Sequence, residues 1–164
     1  MRAFILSLAV AAAAVPALAQ TPSRETLALA NRVARVAQPR LEQNLVNLVE
    51  SLAKEYQDTT LRAGQPVDSK ALEVVTKSES DAIKPLLWAG MERVYAETYT
   101  LDELKALSDF YRDNPGVEPA GLPASLAAKN SDIAAREQAL VAQIGPRLIQ
   151  DFFGDYCSRA PCTN

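Results

Sequence analysis

Apolar side chains recur at intervals of three and four along almost the whole chain after Gln20, and no stretch alternates every second residue between hairpin turns. A stripe with that period covers one side of a helix and has no counterpart on a pleated strand. The expected fold is therefore all-α, a single-domain bundle of four to six helices, and 164 residues suffice for one core. Ser23 is placed to cap a first helix bearing Leu27, Ala30, Ala34, Ala37 and Leu41, with Pro39 as its corner. From Arg40 a second stripe runs through Leu41, Leu45, Leu48, Val49, Leu52 and Tyr56, opposite a polar side. Thr59 to Pro66 contains Gly64 and Pro66 and reads as a connector.

A helix is expected after Asp68 through Leu72 and Val75. A further one, capped by Ser80 or Asp81 with Pro85 in its first turn, carries Leu87, Trp88, Met91, Val94, Tyr95 and Tyr99. Thr100 and Glu103 form the clearest start signal, because each side chain can reach the other's backbone amide. Leu101, Leu104, Leu107, Phe110 and Tyr111 follow as a broad buried face, closed by Asn114-Pro115-Gly116. Residues 114 to 123 form an irregular connection. A last helix begins near Ser125 or Ser131 and uses Ile133, Leu140, Val141, Ile144, Leu148 and Phe152; Gly145-Pro146 bends or divides it and Gly154 ends it.

The first residues have a different grammar. Arg2 precedes an apolar run through Val15, and Ala17-Leu18-Ala19 has the small-x-small form of a cleavage site. Residues 1–19 read as a secretory signal peptide, which leaves 20–164 as the mature domain and points to the periplasm or the exterior. No second apolar run approaches the roughly 20 residues of a membrane span, so no transmembrane segment is expected in the mature chain. In that compartment Cys157 and Cys162 are expected to form a disulfide that clips the tail, worth about 2 kcal/mol at most. Two free or intermolecular thiols, or a redox pair, are the alternatives. The redox reading is disfavoured because four residues separate the cysteines where such pairs usually have two.

The chain has no histidine, which removes Ser-His-Asp and Cys-His catalysis and the usual His-containing zinc sites. It has no Gly-rich phosphate loop or calcium loop, and no cofactor is implied. A net charge of −3 without a basic cluster argues against nucleic acid, although Arg24, Arg32, Arg35 and Arg40 could gather on one surface. Catalysis by paired carboxylates needs no histidine, and Glu92, Glu97, Asp102 and Glu103 are the local candidates. Ser69-Lys70 and Lys77-Ser78 read as ordinary polar pairs. Trp88, Tyr95, Tyr99 and Tyr111, with Phe110 nearby, either pack the core or line a groove for a ligand or partner.

The stretch from Tyr95 to Arg112, with an aromatic before the Thr100 cap, then Glu103-Leu104, Leu107 and Phe110-Tyr111, resembles the bacterial exported family called domain of unknown function 2059. The resemblance covers about 25 residues and implies a small helical protein of the periplasm or envelope. For Tyr99, Thr100, Glu103, Leu104, Phe110 and Tyr111 it implies packing and capping, with no catalytic role. The chain departs from the family pattern after Arg112, where Asn114-Pro115-Gly116 enters the proline-rich stretch ending at Pro123. The expected function is a non-enzymatic envelope module that binds a protein, a peptide or an apolar ligand. The alternatives are a small carboxylate-dependent hydrolase of an envelope polymer and a structural or chaperone-like module.

Overall fold

A computed structural model describes residues 21–116, 121–160 and 162. The expected leader lies outside the described residues. The described chain is an all-α bundle of five helices and one isolated turn: α1 (Arg24–Ala37), α2 (Leu41–Arg62), α3 (Ser69–Thr98), α4 (Leu101–Asp113), the turn α5 (Ala124–Ala127) and α6 (Asn130–Arg159). Among the described residues no helix is long and apolar enough to cross a membrane.

Helix α3 is the spine. Its first half packs antiparallel to α2, its second half antiparallel to α1, and α6 lies antiparallel along it; α4 folds back onto α1. At about 1.5 Å per residue, α3 and α6 are each about 45 Å long. Leu87, Met91, Leu104 and Phe152 are fully buried where these helices meet.

Local chemistry sets most of the ends. The Ser23 hydroxyl accepts the Thr26 amide at 3.1 Å, and the Asp68 carboxylate accepts the Lys70 and Ala71 amides at 3.0 and 2.9 Å. Helices α1 and α4 each stop on the residue before a proline: Gln38 (φ −125°, ψ 57°) before Pro39 and Asn114 (φ −130°, ψ 67°) before Pro115. The proline ring bars helical geometry at the preceding position. Gly64, at φ +72°, turns the chain after α2, a conformation that a side chain would resist.

Four expectations require correction. The connector starts later than Thr59, because α2 continues to Arg62 and only Gly64 releases it. Ser80 and Asp81 cap nothing: α3 runs unbroken from Ser69 to Thr98 through Pro85. Likewise α6 is neither divided at Gly145-Pro146 nor ended at Gly154, and runs from Asn130 to Arg159. Both prolines sit at exposed positions, and the carbonyls they leave unpaired belong to Asp81 and Ala142, themselves exposed. Buried Ile83 and Leu87 on one helix, and Leu148 and Phe152 on the other, carry each helix through. Finally, Leu48 is 45 % exposed, because the buried seam of α2 keeps a strict spacing of four through Leu41, Leu45, Val49 and Ala53.

Cys157 and Cys162 form a disulfide with a Cα–Cα distance of 5.2 Å. Cys162, half-buried against the core, is drawn onto the last turns of α6. The bridge closes the tail, and the helices meet without it.

Candidate functional site

The capping box is formed as its residues require. The Thr100 hydroxyl accepts the Glu103 amide at 3.3 Å, and the Glu103 carboxylate accepts the Thr100 amide at 2.7 Å. Lys129, just before α6, extends this motif: its ammonium donates to Glu103 at 2.7 Å and to the Thr98 carbonyl at 3.0 Å, one of the unpaired acceptors at the end of α3. The Lys129 ammonium and the Thr100 amide hold the Glu103 carboxyl below its usual range. Its contribution is therefore present above pH 4.5 and lost as pH falls through the depressed folded value. Glu103→Gln is expected to cost about 1 kcal/mol at pH 7, with the difference in denaturant midpoint from the parent shrinking towards pH 3. A cost that stays constant across that range would contradict this account.

Above this corner three tyrosines surround a cavity of about 220 Å³, lined also by Gln38, Leu122, Asn130, Ile133 and Ala134. Tyr95 comes from the last turn of α3 and Tyr99 caps its end, with ring centroids 5.9 Å apart; Tyr111 comes from the last turn of α4. All three are at most 5 % exposed. Of the described lining residues Ala134 on α6 is exposed, Gln38 and Asn130 are half-buried and the others are buried. Burial pushes all three phenols up, that of Tyr99 to about 12, so they stay protonated and act as hydrogen-bond donors at any physiological pH. Half-buried Glu137, near enough to Tyr95 to raise its hydroxyl further, has its own carboxyl raised by burial.

Trp88 does not join them. Its indole N–H donates to Glu42 at 2.9 Å, and Arg35 lies 4.4 Å above its ring, so it locks the α1–α2 corner onto α3. Phe110 stacks edge-on against Tyr111 from the half-buried side of α4 and does not line the cavity. Arg35 is occupied by Trp88 and Asn31, and Arg24, Arg32 and Arg40 are exposed singly.

Each candidate acid has a partner nearby. Glu92 accepts from Asn31 at 3.0 Å, Glu97 from Arg136 at 3.1 Å, Asp102 lies 3.8 Å from Lys105, and Glu103 serves the cap. Two larger depressions lie elsewhere. One, about 630 Å³, runs between α3 and α6 over Ile83, Leu86, Gly90, Leu140 and Ile144. Gly90 lets the Leu140 side chain lie close against α3, and a Cβ there would make that side chain shift. At one end of this groove Glu79 is pushed up by burial and by the Asp151 and Asp155 carboxylates. The other, about 550 Å³, is a polar-edged channel between α2 and α3. Among the described residues no cluster of three or more Cys, Asp or Glu is arranged to hold a metal ion. The tyrosine spacing was readable from sequence; Gln38, Lys129 and Asn130 reach the site from helices whose docking no local pattern records. No protein-family model, curated protein or solved structure matches the chain.

Proposed function

We propose that this chain is an exported, non-catalytic binding module of the bacterial envelope, and that it admits a small molecule, or one side chain of a partner, to the tyrosine-lined cavity. One observation carries the reading: three tyrosines buried to at least 95 % surround a cavity of about 220 Å³ whose lining includes the exposed Ala134, where a core would close by packing. The partnered carboxylates favour binding over the hydrolase alternative, and the leader-like residues 1–19 supply the export context. The likeness of Tyr95–Arg112 to the exported family 2059 is consistent with this and rests on that stretch alone.

The test is occlusion of the mouth. Ala134→Trp places an indole over the opening from an exposed helical position, so the fold is expected to survive with a thermal midpoint within about 2 °C of the parent, a change of well under 1 kcal/mol. In a calorimetric screen of monocyclic compounds, binders of the parent protein should be lost by the variant. Binding that persists undiminished would move the site elsewhere. Export is read separately, from the N-terminal sequence of protein recovered from the periplasm of a bacterial host, where Gln20 is expected as the first residue.

A further inference from the structure

We propose that the cavity takes a compact, uncharged molecule carrying a hydrogen-bond acceptor on a ring-sized apolar body, and that the Tyr111 hydroxyl is the donor that recognises the acceptor. This rests on the reading of the cavity as a binding site. Tyr111 is 5 % exposed, yet its hydroxyl makes no hydrogen bond with any described residue. Its neighbours differ: the Tyr99 hydroxyl donates to the Leu126 carbonyl at 3.4 Å, and the Gln38 side chain stands beside the Tyr95 hydroxyl. At the far end of α6, the Tyr156 hydroxyl accepts the Asp68 amide at 3.2 Å. A phenol shut off without a partner would cost about 1–3 kcal/mol, so one left unpaired by its neighbours needs an opening. Among the described residues no shut-off side-chain polar atom lacks a partner, so the Tyr111 hydroxyl is open to space, and the space that Tyr111 lines is this cavity.

Size and charge narrow the ligand. A cavity of roughly 150 Å³ accepts benzene; one of about 220 Å³ has room for such a ring with one polar substituent. Among the described residues no lining residue carries a formal charge. The nearby cation, Lys129, is already held by Glu103 and Thr98, which leaves an entering anion without a counter-ion. The described acids that act on the tyrosines, Glu137 and Glu103, both stand outside the lining; the first has its carboxyl shifted towards the neutral form and the second is held by Lys129, so an entering cation gains little. The tyrosine rings provide flat apolar walls, and the phenol supplies a donor.

Four probes of one ring size separate these terms: benzamide, benzoate, benzylamine and toluene, titrated calorimetrically into the parent protein, Tyr111→Phe and Ala134→Trp. Benzamide is expected to bind at least tenfold more tightly than either charged probe. Tyr111→Phe should weaken benzamide at least tenfold, about 1.4 kcal/mol, and leave toluene unchanged. The same variant should unfold at the parent's midpoint or above it, since no hydrogen bond to a described residue is removed. Toluene binding as tightly as benzamide, or Tyr111→Phe weakening both equally, overturns the ligand class while leaving the cavity as a binding site. Benzylamine or benzoate binding most tightly overturns it in favour of an ionic site. If no probe binds and a crystal shows only ordered water at Tyr111, both the class and the binding site fail.

Discussion

Leu104→Asp is expected to leave the chain without a cooperative unfolding transition, with most of its helical circular dichroism lost at 25 °C. Leu104 is fully buried in the first turns of α4, facing α1. The substitution removes about 2–3 kcal/mol of apolar burial. It also places a carboxylate inside the hydrophobic core, at a further cost of several kcal/mol unless the group protonates. A domain of this size has about 5–15 kcal/mol in total. Leu101→Asp supplies the contrast. Leu101 is only half-buried at the first position of α4, where a negative charge meets unpaired amides and gains about 0.3–1 kcal/mol. That variant is expected to fold with a loss of about 1 kcal/mol or less. Equal effects from the two substitutions would mean that α4 does not dock by the Leu104, Leu107 and Tyr111 face.

Pro85→Ala is expected to act in the opposite direction, raising stability by about 1–2 kcal/mol and the thermal midpoint by several degrees. A proline inside a helix costs about 3 kcal/mol relative to alanine, part of it recovered here because ring and orphaned carbonyl both lie at exposed positions. Pro85 stands where α3 changes partners. Lys84 reaches Glu42 of α2 at 3.8 Å, and Trp88 lies beneath Arg35 of α1. The gain is expected if both partners fit a regular helix. A fall in the midpoint would show that the proline shapes the handover and that the two packing faces depend on it.

The parts of the fold legible in the sequence were those decided within a few residues. The Ser23 and Asp68 caps, the Thr100–Glu103 box and the two helix ends before Pro39 and Pro115 follow from side chains reaching their own backbone or from a ring excluding one conformation. Pro85 does not start a helix and Gly145-Pro146 does not divide one, because a local penalty of a few kcal/mol is outweighed by burial of the flanking turns, which depends on α1, α2 and α6 being in place. Leu48 misled because two adjacent spacings were both helical and only one faces α3. At the candidate site, Tyr95 and Tyr99 lie one turn apart and Tyr111 follows from the buried face of α4, so their convergence was foreseeable. Trp88 shares their side of α3 but lies seven residues from Tyr95, about 10 Å along the axis, and meets a different neighbour. Lys129, Asn130 and Gln38 became visible only once α1 and α6 were docked.

The longest two helices are fastened near both of their ends. Lys129 at the start of α6 holds the Thr98 carbonyl at the finish of α3, and Tyr156 near the finish of α6 holds the Asp68 amide at the start of α3. Two rails pinned top and bottom cannot slide past one another: a shift of one turn, about 5.4 Å, would break both pins together. If the proposed guest enters past Ala134, a sideways swing of the shorter α1 or α4 is the motion these pins leave open, and it is their amides, more than those of the pinned pair, that should exchange with solvent.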